Sequence, residues 1–116
     1  MNIVIKKWKI KYHTQFGSSL SLENWFESRN HVQIKSIAKE MALLERCGNT
    51  LRLPHSKALG KGLFELRERT YGYRLYYAFS RGNIILLNAG DKRTQEKDIK
   101  LAYKRLSLMK EKEHVI

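Results

Sequence analysis

The chain is poor in cysteine, proline and acid: one Cys, one Pro, and 11 Asp+Glu against 23 Lys+Arg. A single cysteine, Cys47, excludes an internal disulfide and any cysteine-rich zinc site. That usage fits a reduced, cytoplasmic setting, and no motif asks for a metal or cofactor. No apolar run is long enough to span a bilayer, and no helix combines a basic face with a bulky apolar one, so a membrane partner is not expected. The opening MNIVIKKWKIKY alternates lysines with apolar residues instead of placing charge before an apolar core, which does not read as a signal peptide. No repeat, linker or low-complexity tract interrupts the 116 residues, so a single domain over 1–116 is expected. The shortage of acid leaves a formal charge of 23 − 11 = +12, with a pI of about 10.0. Such a surface predicts an anionic partner, nucleic acid or an acidic protein.

The stretch Lys57–Arg93 organises the rest. Leu63–Arg69 and Tyr73–Phe79 read as strands joined through Thr70-Tyr71-Gly72, a hairpin-length connection. Ser80-Arg81-Gly82-Asn83 then turns into Ile84–Ala89, an almost unbroken apolar run that suits a strand covered on both faces. Alternation puts Tyr73, Leu75, Tyr77 and Phe79 on one side of their strand, with Arg74 and Tyr76 opposite. Phe64 and Leu66 oppose Glu65, Arg67 and Arg69 in the same way. Arg67 and Arg74 are therefore expected together on one open, positive face.

Elsewhere, Ile3–Tyr12 reads as a strand whose Lys7, Lys9 and Lys11 form a row, either a solvated edge or a groove wall. Gln15–Ser19 reads as loop, and Ser21 is placed to cap a short helix from Leu22 that carries Trp25 and Phe26 into the core. Ile34, Ile37, Ala38, Met41 and Leu44 give Val32–Cys47 a helical stripe that stops at Gly48-Asn49, with His31 at the surface. Leu51–Lys61, marked by Pro54, reads as loop. After the polar corner Gly90–Thr94, Ile99, Ala102, Tyr103, Leu106 and Met109 form a second helical stripe, and the tail 111–116 is expected to fray. The order is β-α-α-β-β-β-α. The expected fold is α+β, a small, mainly antiparallel twisted sheet with the helices on one face.

The segments LPHSKALGKGLFELRERTYGYRLYYAF and IILLNAGDKRTQEKDIKLAYKRL resemble the RelE/ParE superfamily of bacterial toxins, and within it the phage-derived, HigB-like branch. The residues that carry the resemblance are Lys57, Leu59 and Gly60; Gly62–Arg67; Tyr73 and Arg74; Lys92, Arg93 and Thr94; and Ala102 and Arg105. It covers about half the chain strongly. It implies the RelE-like toxin fold and the toxin of a toxin–antitoxin pair. Relatives of the RelE and HigB type cut messenger RNA in the ribosomal A site; relatives of the ParE type inhibit DNA gyrase. The resemblance also implies a small antitoxin partner, of helix-turn-helix type in the HigB branch, with operator DNA bound only through that complex.

Cutting RNA by its 2′-hydroxyl needs a base, stabilisation of the phosphorane, and an acid for the leaving oxygen. Arg67 is the first candidate for the scissile phosphate, because its guanidinium fork matches two phosphate oxygens, and the resemblance assigns the position the same work. Lys92 and Arg93, at a strand end, come next as catalytic candidates. Lys57, Lys61 and Arg74 are candidates for holding the substrate backbone. Arg74 has a second reading, a pair with Glu65 or Glu68 across the hairpin. The tyrosine or histidine that such enzymes often carry after the basic corner is missing, since Thr94–Ile99 reads TQEKDI. His55 is the one histidine near the motif and reads as incidental. Cleavage would then lean on the ribosome to arrange its substrate. Gyrase inhibition and a non-enzymatic nucleic-acid-binding module stand as the alternatives. Because Arg67 lies opposite Phe64 and Leu66, its loss is expected to cost no more than about 1 kcal/mol of stability.

Overall fold

The computed structural model describes residues 7–14 and 20–114. Residues 3–6 of the expected first strand, the loop 15–19 and the last two residues of the tail lie outside them. The elements run β1 (Lys9–Tyr12), α1 (Leu20–Glu27), α2 (His31–Cys47), β2 (Ser56–Gly60), β3 (Leu63–Glu68), β4 (Tyr73–Ser80), β5 (Asn83–Asp91) and α3 (Gln95–His114). The sheet order is β1-β5-β4-β3-β2, with β1 parallel to β5 and every other pair antiparallel. This is the mainly antiparallel α+β fold that the sequence predicts.

The layering differs from the expectation. Leu22 of α1 and Ile37 and Leu44 of α2 pack with Leu66, Leu75, Tyr77, Ile84 and Leu86 on one face, while Ala102 and Leu106 of α3 pack with Leu63, Tyr76, Ala78 and Leu87 on the other. The helices thus cover both faces, because β5 is apolar on both sides and one helical layer buries only one of them. A bulge at Leu87 sharpens this: Tyr76 faces Asn88 while Tyr77 faces Leu86, so the β5 side chains change parity and Asn88 stays on the α3 side.

Local chemistry sets the boundaries. α2 is capped by Asn30, not led by Val32: its side chain accepts from the Gln33 amide and the Gln33 side chain accepts from its own, each at 2.9 Å. Gly48 closes α2 at φ 51°, with the Trp8 ring where a side chain would lie. Ser21 sits inside α1 and accepts from Arg105 instead of capping. Ser56–Gly60, expected as loop, is an edge strand. It carries too little apolar pattern to announce itself, as edge strands do. Lys61-Gly62 and Arg81-Gly82 both hold positive φ, the two-residue turn that matches hairpin twist. α3 continues through His114, so residues 111–114 are helical where fraying was expected, with Glu113 accepting from Ser80. Lys9 and Lys11 are exposed on an edge strand, a placement that both of their readings share.

Gly90 fixes how closely α3 starts to the sheet, since a Cβ there would lie 1.8 Å from Asp98 Oδ2 and 2.8 Å from Thr94 Oγ1. We expect Gly90→Ala to cost about 1–3 kcal/mol by overpacking this junction. A urea midpoint lowered at unchanged slope checks it; an unchanged midpoint refutes it.

Candidate active site

The site grows from one buried acid. Glu65 on β3 is 0 % exposed, on the face that α3 covers. One carboxylate oxygen accepts from Arg67 Nε at 2.7 Å and from Arg74 NH1 at 2.8 Å. The other accepts from Gln95 Nε2, on the first residue of α3, at 3.0 Å. Arg67 and Arg74 are directly opposed across β3 and β4, an arrangement that repels on its own. The shared carboxylate neutralises one of the two charges and fixes both guanidinium planes. The arginines keep side-chain exposures of 30 % and 19 %. Among the described residues, neither terminal nitrogen of Arg67 has a hydrogen-bond acceptor, so its outer edge remains available for an anion.

The other predicted residues divide. Lys57 faces Glu65 in the β2–β3 register and is exposed, so it flanks the arginine pair on the same face. Lys92 and Arg93 form a short 3-10 turn after β5, where Asp91 accepts from the Arg93 amide at 2.8 Å and the Thr94 amide at 3.3 Å. Desolvation works against the Asp91 carboxylate, but the Arg93 side chain and the Arg93 and Thr94 amides outweigh it and hold its pKa below the ordinary value. Tyr73 faces Asp91 and Arg74 faces Gly90, so this corner stands at the same end of the sheet as Arg67. Lys61 does not join them. It lies in the β2–β3 turn at the far end, where its carbonyl accepts from Lys110 Nζ at 3.4 Å.

Two side chains with acid–base chemistry, His55 and Tyr103, are engaged elsewhere. His55 Nδ1 is 3.1 Å from Glu40 Oε2 on α2. The Tyr103 hydroxyl donates to the Leu59 and Gly60 carbonyls, both at 3.0 Å, and ties α3 to β2. Tyr76 neighbours the site, opposite Glu65, but is fully buried. Burial first, then the nearby carboxylates of Glu65, Asp98 and Asp91, push its pKa far up, so it stays protonated. Arg105, part of the recognised pattern, is a strut: NH1 donates to the Leu87 carbonyl at 2.6 Å and NH2 to Ser21 Oγ at 2.9 Å, joining α3 to β5 and α1. Sequence reasoning missed Gln95, whose signal was its place at the first turn after the basic corner. It gave Glu65 a place in the recognised strand and a candidate pairing with Arg74, but not its burial or its hold on both arginines.

Residues 24–107 match the family described as phage-derived protein Gp49-like (DUF891), which is a RelE-like toxin family. The chain belongs to this family. The Gp49-like chain is also 37 % identical over 92 residues to an uncharacterized protein of Haemophilus influenzae, an overlap of 76 % of this chain and 88 % of that one. Its fold is similar to the crystal structure of the isolated E. coli RelE toxin, with a TM-score of 0.54 at 13 % identity over 80 % of this chain and 96 % of that one. The RelE/ParE resemblance read from the sequence therefore holds at the level of family and fold. Among the described residues no helix is long and apolar enough to cross a membrane.

The Glu65 arrangement changes the expected stability of the Arg67 variant. Arg67→Ala leaves a buried carboxylate with one cation instead of two, a loss of about 1–3 kcal/mol instead of at most 1. Glu65→Ala should cost about 3 kcal/mol, since both arginines lose their shared acceptor. In a double-mutant cycle the two changes should be strongly non-additive; additive urea-unfolding energies would show that the pair is not coupled.

Proposed function

We propose that this Gp49-like protein is the toxin of a toxin–antitoxin pair and that it cuts messenger RNA on the ribosome. The observation that carries the reading is the arginine pair: Arg67 and Arg74 held side by side by a buried carboxylate, with Lys57 on the same face and Lys92 and Arg93 at the same end of the sheet. A preorganised pair of cations is suited to a phosphorane, because orienting them costs nothing when charge develops.

In the reaction the 2′-oxygen bonds to phosphorus as the bond from phosphorus to the 5′-oxygen breaks. A 2′,3′-cyclic phosphate and a 5′-hydroxyl result. Arg67 binds the non-bridging oxygens, Arg74 supports it through Glu65, and Lys57, Lys92 and Arg93 hold flanking phosphates. The 2′-hydroxyl proton passes to solvent and the leaving oxygen takes one from it, since His55 and Tyr103 are committed to structural partners. The ribosome holds the nucleophile in line, which accounts for activity without a dedicated acid–base pair. The partners in this reading are the ribosome, messenger RNA and a helix-turn-helix antitoxin, with operator DNA bound only through the antitoxin complex. The site of action is the cytoplasm.

The missing acid–base side chain also favours a second reading, a ParE-like gyrase inhibitor that cuts nothing. Translation of a defined messenger with mapped cuts, run beside a supercoiling assay, separates the two. We expect cuts from the parent and a loss of roughly a few hundredfold in cleavage rate for Arg67→Ala, about 3–4 kcal/mol in barrier. Arg67→Lys should recover only part, keeping charge but not the fork. Parental cutting by a folded Arg67→Ala protein refutes the assignment; inhibited supercoiling without cuts moves the function to gyrase.

A further inference from the structure

Behind the arginine pair, on the α1–α2 side of the same sheet end, lies an open hollow of about 440 Å³. Tyr71, Tyr73, Arg29, Lys92 and Arg93 line it, together with Asp91, so three cations stand against one carboxylate. Tyr71 is 41 % exposed, an unusual position for a large aromatic on this chain. One face of its ring lies on Tyr73, with centroids 5.9 Å apart and planes 28° apart. Tyr73 is itself boxed in by Trp25 edge-on at 5.3 Å and by the Arg29 guanidinium at 5.2 Å.

The turn that carries Tyr71 is pinned. Glu68, 2 % exposed, accepts from the Thr70 amide at 2.7 Å, the Tyr71 amide at 3.0 Å and Ser36 Oγ at 2.8 Å. A buried carboxylate thus holds an exposed aromatic ring in place over a basic hollow. Packing uses only part of the ring: one face lies on Tyr73, while 41 % of the residue stays open to solvent beside the cations. A flat ring with neighbouring cations is the combination that binds a base and its phosphate in a single strand.

We propose that this hollow is a stacking subsite for one base of single-stranded RNA, with the base on Tyr71 and its phosphate on Lys92 and Arg93. The proposal rests on the RNA reading above and extends it: the strand crosses the β3–β4 turn, from the arginine pair on one face to Tyr71 on the other. Because every base has a π-face, the subsite grips the strand without selecting its sequence.

The test is fluorescence anisotropy with a labelled 2′-O-methyl RNA strand, which lacks the attacking hydroxyl and stays intact. A strand of the same length with abasic sugars serves as the second probe. Parent, Tyr71→Phe and Tyr71→Trp should bind the base-bearing strand alike, while Tyr71→Ala and Tyr71→Leu should weaken it roughly 5- to 100-fold. On the abasic strand all five should bind alike. Unchanged binding by the Ala and Leu variants overturns the subsite, as does an equal loss on both strands. So does a matching Tyr71-dependent loss for polyglutamate, which would assign the hollow to an acidic protein segment. Ribosomal cleavage is scored separately. No cuts by the parent with the Tyr71 effect intact sinks the cleavage reading alone; cuts without the Tyr71 effect sink the subsite alone.

Discussion

Two carboxylates buried in one six-residue strand hold the basic end of this molecule together. Glu65 and Glu68 are 0 % and 2 % exposed and point to opposite faces of β3. A lone buried carboxylate is expensive, and its cost falls only when good donors surround it. Each acid therefore dictates its surroundings. Glu65 draws in Arg67, Arg74 and the first residue of α3; Glu68 draws in the β3–β4 turn and Ser36 of α2. The first arrangement orients two guanidinium groups on one face, and the second fixes an aromatic turn beside the other.

This also explains how a chain so short of acid places its charge. With 11 acidic residues for 23 basic ones, any acid spent inside leaves the surface more positive than composition alone implies. Glu65 and Glu68 are spent this way, and Asp91 is tied to its own 3-10 turn. Arg74 and Arg105 are drawn partly inside, but other cations keep their heads in solvent, as Arg93 does at 90 % side-chain exposure. The result is a focused positive end, which raises encounter rates with a polyanion and makes them salt-dependent.

Much of the site was legible because strand parity is a strong constraint. The alternation around Leu66 and Leu75 puts Arg67 and Arg74 on one face, and in the register they are directly opposed. What parity does not say is what lies above that face. The apolar run of β5 already implied two covered sides, yet placing all helices on one face left Leu87 without a cover; α3 supplies it. Lys57 and Lys61 are near in sequence, but the length of β2 carries Lys61 away from Glu65 to the far turn. Ser56–Gly60 was unreadable as a strand because an edge needs little apolar pattern. The depth of Glu65 was equally hidden, since a carboxylate between Phe64 and Leu66 looks like an ordinary outward residue until the helix beyond it is known.

The recognised pattern then splits into residues that present charge outward and residues that hold those in place. Lys57, Arg67, Lys92 and Arg93 present charge. Glu65 and Arg105 present nothing outward: the first anchors two arginines, and the second joins α3, β5 and α1 across the point where β1 stops opposite Leu86. Gly90 belongs with them, because only a residue without a side chain lets Asp98 and Thr94 approach the strand. The start of α3 must come this close for Gln95 to reach Glu65. The close approach at Gly90 and the orientation of Arg67 are therefore one constraint, transmitted through a single buried carboxylate.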